Sequence, residues 1–140
     1  MLTAKDLMTK TPDVVAPETS LGDVVAMMNR SGYRHMPVVD GEQLVGIITE
    51  RDIRLAVNSP LLTEDMLLRI QMLNRYSVED CMTRDPMTLA PDVPLPRIAD
   101  IFVVYKYGAL PVVADGKLLG IVTVIDLLHY LAQQAEAIPA

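Results

Sequence analysis

Tryptophan is missing from this sequence, phenylalanine occurs once, and aromatics make up 4% of a chain whose hydrophobic share is 51%. Such a core must be built from Val, Ile, Leu and nine Met rather than from rings. Cysteine occurs once, at Cys81, which excludes an internal disulfide. No run of 18 apolar residues occurs, which excludes an ordinary spanning helix. Basic residues are outnumbered 12 to 18, for a net charge of −6. That balance argues against nucleic acid, which needs clustered Lys and Arg, and against an anionic membrane surface. Any phosphate bound here is held by local groups, not by a global field. The opening residues Met1-Leu2-Thr3-Ala4-Lys5-Asp6 lack the apolar run of a signal peptide, so a cytoplasmic location is expected.

What is present is a duplication. Residues 4–54 align on 78–128 without a gap. Identities include Asp6 with Asp80, Met8-Thr9 with Met82-Thr83, Pro12 with Pro86, and Ala16-Pro17 with Ala90-Pro91. Tyr33 matches Tyr107, and Pro37-Val38-Val39 matches Pro111-Val112-Val113. The period exceeds that of a solenoid repeat, so one pseudo-symmetric domain of two halves is expected. Cys81 aligns with Leu7, which favours a small buried hydrophobe over a reactive thiol.

Each half reads as β-α-β-β-α, an α+β pattern. Val14-Val15 predicts a brief strand. Thr19 or Ser20 caps a helix to about Arg30, with Leu21, Val24, Val25 and Met28 at helical spacing and Gly32 as its stop. Pro37-Val38-Val39 and Leu44–Ile48 form a hairpin around Asp40-Gly41. Thr49 caps a second helix to about Val57. The second half repeats this from a helix starting near Pro94, with its turn slipped one place to Asp115-Gly116. Between the halves, Ser59-Pro60 breaks the preceding helix and Thr63-Glu64-Asp65 caps a new one. Met66, Leu67, Ile70 and Leu73 share its apolar face, which packs on the body or on a partner. The expected division is residues 1–58, a linker helix over 59–76, and residues 77–140. The last helix runs past His129 and Tyr130 until Pro139 ends it.

The chemistry-bearing pattern is Gly46-Ile47-Ile48-Thr49-Glu50-Arg51-Asp52, repeated as Gly120-Ile121-Val122-Thr123-Val124-Ile125-Asp126. Each copy carries an apolar strand into a helix. Thr49 with Asp52 can be a plain capping box that needs no ligand. The same residues can also grip a phosphorylated ribose. A helix start offers N–H groups and a positive dipole end to phosphate. Thr49 adds a hydroxyl, Arg51 a charge, and Asp52 can accept two ribose hydroxyls. Gly46 lets the backbone approach a ligand.

With Asp6-Leu7-Met8-Thr9, Asp80-Cys81-Met82-Thr83, Gly32–Val39 and Tyr107–Val113, these segments resemble a tandem pair of cystathionine-β-synthase (CBS) domains, the Bateman module. The segment Asn58–Ser77 followed by Val78-Glu79-Asp80-Cys81-Met82-Thr83 resembles the short bacterial pairs of the acetoin-utilisation type. The resemblance implies two clefts that bind adenosine compounds: AMP, ADP, ATP, S-adenosylmethionine or NAD-type molecules. It implies that Asp52 and Asp126 hold ribose and that Thr49 and Thr123 meet phosphate, beside Gly46 and Gly120. Thr11-Pro12-Asp13 and His35-Met36-Pro37 would flank the base in the first cleft. Asp85-Pro86-Met87 and Ala109-Leu110-Pro111 would do so in the second.

The first cleft offers Arg34, His35 and Arg51, where the second has Gly108, Ala109 and Ile125. A charged phosphate is therefore expected in the first, and a nucleoside or nothing in the second. His35 reads first as a packing or hydrogen-bonding residue and second as a ligand contact; no metal is expected. Two His and one Cys, well separated, assemble no triad or zinc set, so the expected function is regulatory binding, not catalysis. The adenosine compound is a ligand rather than a catalytic cofactor, and the output is the activity of an unidentified partner protein. The alternative is a ligand-free scaffold whose Thr-x-x-Asp units only cap helices. Apolar faces around Met27-Met28 and Ile101-Phe102-Val103-Val104 predict a homodimer.

Overall fold

A computed structural model describes residues 1–57 and 66–137, with side chains from residue 71 in the latter stretch. Its elements in chain order are α1 (Ala4–Leu7), β1 (Thr9–Lys10), α2 (Leu21–Ser31), β2 (His35–Asp40), β3 (Gln43–Thr49) and α3 (Glu50–Val57). There follow α4 (Met66–Arg75), α5 (Val78–Cys81), β4 (Thr83–Arg84), α6 (Leu95–Tyr105), β5 (Ala109–Ala114), β6 (Lys117–Thr123) and α7 (Val124–Ala137). The expected break at Ser59-Pro60, the cap at Thr63-Glu64-Asp65, the side chains of Met66, Leu67 and Ile70, and the stop at Pro139 lie outside the described residues. Mixed helices and antiparallel strands, doubled, give the expected α+β class.

The chain forms two compact units. Asp13–Pro86 is the central unit; Met1–Pro12 with Met87–Ala140 is the split unit. The cuts fall inside both sequence repeats, because the short segment that opens each repeat folds with the other repeat's body. In the central unit, β3 pairs antiparallel with β2 on one side and β4 on the other. Val15 extends this sheet in parallel beside Val38. In the split unit, β6 pairs with β5 and β1, and Leu89 takes the place of Val15 beside Val112.

The sequence explains these elements locally. Ser20 Oγ accepts from the Asp23 N–H at 3.2 Å and starts α2. Gly32 ends it in the left-handed region at φ 79°. The expected slip of the second hairpin turn is instead a change of turn type at equivalent positions, between Asp40 and Gln43 and between Ala114 and Lys117. Gly41 alone has positive φ in the first hairpin, the pattern of a type II′ turn, whereas Asp115 and Gly116 both do in the second, the pattern of type I′.

The two cores are built from equivalent positions. The central core includes Val15, Leu21, Val24, Met28, Met36, Val38, Ile48 and Val78. Its counterpart includes Leu89, Ile98, Phe102, Leu110, Val112, Val122 and Ala4. Burying a Val, Leu, Ile, Met or Phe side chain in them contributes about 1.5–3 kcal/mol. Met72, Leu73 and Tyr76 pack on the central core, so the linker helix rests on the body. Cys81 is half-buried against the same core, in keeping with its alignment on Leu7. Among the described residues no helix is long and apolar enough to cross a membrane.

Candidate functional site

The register of β2 on β3 sets His35 opposite Thr49 and Met36 opposite Ile48. This brings the start of one strand to the helix entrance that ends the other. There the Thr49 N–H donates to Asp52 Oδ2 at 3.0 Å, and the Asp52 N–H donates to Thr49 Oγ1 at 3.1 Å. The Glu50 N–H donates to the Arg34 carbonyl at 2.9 Å. Among the described residues, three of the four N–H groups that a helix start leaves open are thus satisfied, and the Arg51 amide is the one left over. The expectation of an open row of donors narrows to a single amide.

The split unit repeats this. The Thr123 N–H donates to Asp126 Oδ2 at 2.8 Å, the Asp126 N–H returns to Thr123 Oγ1 at 3.2 Å, and the Val124 N–H donates to the Gly108 carbonyl at 3.1 Å. Among the described residues the amide left over is that of Ile125. Both Thr–Asp pairs are half-buried, and among the described residues nothing bonds Oδ1 of Asp52 or Asp126. Each carboxylate is held by one oxygen and presents the other.

Charge separates the two copies. Arg51 is exposed and makes no ion pair among the described residues. Arg34 Nε lies 3.5 Å from Glu50 Oε2, with both side chains well exposed. Glu50 escaped the sequence reading; its charge opposite Arg34 becomes visible only once the hairpin register is known. Gly108 and Val124 stand at these positions in the split unit. His35 is half-buried, and burial lowers its pKa below the usual 6.5, with Asp52 pulling it up and Arg34 pushing it down. Ala109 at the equivalent position is buried, as are Met36, Pro37, Leu110 and Pro111.

Gly46 and Gly120 have protein neighbours where a ligand approach was expected. A Cβ on Gly46 would stand 2.6 Å from Met82 Sδ and 2.8 Å from the Thr83 carbonyl. On Gly120 it would stand 2.6 Å from both Met8 Sδ and the Thr9 carbonyl. Close packing of β4 on β3, and of β1 on β6, accounts for both glycines.

The expected base-flanking segments straddle the unit boundaries. Thr11 and Pro12 belong to the split unit and Asp13 to the central one. Asp85 and Pro86 belong to the central unit and Met87 to the split one. Thr11 at φ 44° and Asp85 at φ 46° are both left-handed, and both precede a proline. That conformation is strained for a β-branched residue. Among the described residues no group of three or more His, Cys, Asp or Glu is placed to hold a metal.

This arrangement has known counterparts. A structure described as an acetoin utilization protein (AcuB) from Vibrio cholerae superposes with a TM-score of 0.79 at 29% identity, covering 99% of each chain. CBSX2 of Arabidopsis thaliana, in complex with AMP, superposes at 0.81 with 29% identity, covering 95% of this chain and 98% of that one. The CBS domain pair of protein MJ0100, in complex with 5′-methylthioadenosine and S-adenosyl-L-methionine, does so at 0.78 with 28% identity, over 96% and 98%. The CBS-domain family model matches residues 4–59 and 78–133. The chain therefore belongs to the CBS-domain family, as a tandem pair.

Proposed function

We propose that this protein is a regulatory module that binds an adenosine compound of the AMP, ADP, ATP or S-adenosylmethionine class. The observation that carries the reading is the doubled helix entrance, where a half-buried acid is fixed by its own cap and keeps one oxygen spare. Asp52 and Asp126 accept ribose hydroxyls through that oxygen. Thr49 and Thr123, with the leftover Arg51 and Ile125 amides, meet phosphate. His35-Met36-Pro37 and Ala109-Leu110-Pro111 supply the base's neighbours. The base-flanking roles of Thr11-Pro12-Asp13 and Asp85-Pro86-Met87 rest on the family resemblance alone. AMP in CBSX2 and the two adenosyl compounds in MJ0100 support the ligand class.

The central unit favours a charged phosphate, because Arg51 is exposed there and makes no ion pair among the described residues, whereas Ile125 takes its place in the split unit. The split unit favours a neutral adenosyl group. Titration of AMP into Arg51→Glu tests this. A tenfold or greater loss of affinity is expected, and an unchanged affinity contradicts the role.

CBS pairs are regulatory modules, so binding acts here by linkage. The ligand shifts the balance of two arrangements of the units or subunits by its affinity difference between them, typically about 1–3 kcal/mol. The readout is a partner protein's activity, in the cytoplasm, with the protein acting as a homodimer and without catalysis of its own.

A second reading is a ligand-free scaffold. One observation favours it: related caps recur where no ligand is expected, at Thr3 with Asp6 and at Ser77 with Asp80, each N–H to Oδ2 at 2.9 Å. Thermal melts separate the two readings. Ligand at a hundredfold over its dissociation constant adds about 2.7 kcal/mol of stability to a binder and nothing to a scaffold.

A further inference from the structure

The face of the sheet that carries Thr49 also carries His35. Residues directly opposite on paired antiparallel strands share a face, with Cβ atoms about 4.5–5.5 Å apart, and His35 is opposite Thr49. The next pair, Met36 and Ile48, is wholly buried in the core with Leu21, Val24 and Ile53. Side chains alternate along a strand, so His35 and Thr49 turn away from that core. The imidazole is half-buried there and close enough to Asp52 to feel its charge. Its other charged surroundings are few. Tyr33 and Arg34 precede it, and Arg34 is engaged with Glu50. The start of α3 brings Glu50, Arg51 and Asp52, while β3 brings the uncharged Thr49. Asp13 lies two residues before Val15, on the segment that runs beside β2. On α5, which packs on α3, Asp80 is bound to Ser77, and burial raises the pKa of the Cys81 thiol. For His35, burial outweighs the pull of Asp52, so the imidazole is neutral near pH 7 in the free protein. The split unit has no such group. Ala109 is opposite Thr123, and Gly108, Val124 and Ile125 stand for Arg34, Glu50 and Arg51, so only Asp126 keeps a charge there.

We propose that His35 distinguishes phosphorylated from neutral adenosine compounds by taking up a proton from solvent when a phosphate binds beside Thr49, which ties the central unit's preference to pH. The inference rests on the adenosine-ligand reading above and adds which side chain answers the phosphate's charge. No bond of the ligand forms or breaks; one proton moves from water to the imidazole. A phosphate monoester carries nearly two negative charges at neutral pH, its second pKa being about 6. An opposite charge within about 4–6 Å favours the protonated imidazole, and in a half-buried place that charge is screened less than in water. The phosphate thus adds to Asp52 and reverses the balance that burial sets in the free protein. Between the pKa of the free site and the higher one of the occupied site, binding takes up a proton. Affinity for a phosphorylated ligand therefore falls as pH rises through that window, by up to about tenfold per pH unit for one proton. A neutral nucleoside brings no such charge, and the split unit has no imidazole to respond.

The chain has two histidines, and His129 is exposed on α7, so NMR can follow each imidazole separately. The signals of the full chain are titrated across neutral pH in three states: free, with saturating AMP and with saturating adenosine. The signal lost in His35→Gln belongs to His35; His129→Gln makes the same assignment if the first variant does not fold. AMP should raise the titration midpoint of His35 by at least about one pH unit, a tenfold gain in proton affinity, and leave that of His129 in place. Adenosine should move neither. A His35 midpoint unmoved by AMP, while other signals report AMP bound, overturns the proposal and leaves the adenosine-ligand reading standing. A midpoint moved as far by adenosine as by AMP overturns the phosphate as the cause. No saturable change in any signal with either compound overturns both the proposal and the nucleotide reading of the central unit.

Discussion

Asp52 and Thr49 hold each other reciprocally, main-chain N–H to side-chain oxygen in both directions, at 3.0 and 3.1 Å. The pair therefore has a structural duty whatever else it does. Asp52→Ala should lower the stability of the ligand-free protein by about 1 kcal/mol, the usual worth of a lost cap. If Asp52 also holds ribose, its removal should weaken ligand binding by more than this, about tenfold or beyond. Melts of the free protein read the first effect and calorimetry with ligand the second. An affinity unchanged in Asp52→Ala, beside the expected loss of stability, would leave Asp52 no role beyond the cap.

Gly46→Ala and Gly120→Ala should each destabilise the fold without any ligand present. The added methyl meets a backbone carbonyl at 2.8 Å in one case and 2.6 Å in the other, and a carbonyl on a paired strand cannot step aside as a methionine can. Overpacking of this kind costs about 1–3 kcal/mol. Thermal melts of the two variants check it, and an unchanged melting temperature would contradict the packing account of these glycines.

Acid should weaken the protein through His35. Unfolded, this side chain takes a proton near pH 6.5; folded, it does so only at lower pH, chiefly because of burial. Between those two values the unfolded chain carries the extra proton, so stability falls as pH drops through 6.5 and levels off below the folded value. His35→Gln should flatten that part of the pH dependence. A slope identical to wild type would show that other groups produce it.

Cys81 should behave as packing rather than as a nucleophile. Burial, with Asp80 and Asp52 nearby, raises its thiol pKa, so little thiolate forms near neutrality. Iodoacetamide should modify it more slowly in the folded protein than in the denatured one. Equal rates would contradict this.

Much of the architecture was legible because the sequence states it twice. The spacing of Leu21, Val24 and Met28 marked α2, and the run ending at Thr49 marked both β3 and the start of α3. The displaced Asp115-Gly116 dipeptide was visible, but the turn itself has not slipped: Asp40↔Gln43 and Ala114↔Lys117 close the two hairpins at equivalent positions, and only the turn type differs. What escaped was long-range. β1 and β4 have two residues each, too few to show a period, and their pairing across the repeats depends on contacts far along the chain. For the same reason Gly46 read as a ligand approach: its real neighbour, Met82, lies in the other repeat. Thr49 and Asp52 were found, but the pattern alone could not tell a cap from a ribose clasp. The structure contains the cap and a spare oxygen beside it.

Isothermal titration of the purified full chain with AMP, ADP, ATP and S-adenosylmethionine tests the central claim most directly. Saturable heat with at least one of them, lost or weakened at least tenfold in Asp52→Ala or Asp126→Ala, is the predicted result. No heat from any of the four, with no rise in melting temperature at millimolar ligand, would contradict it.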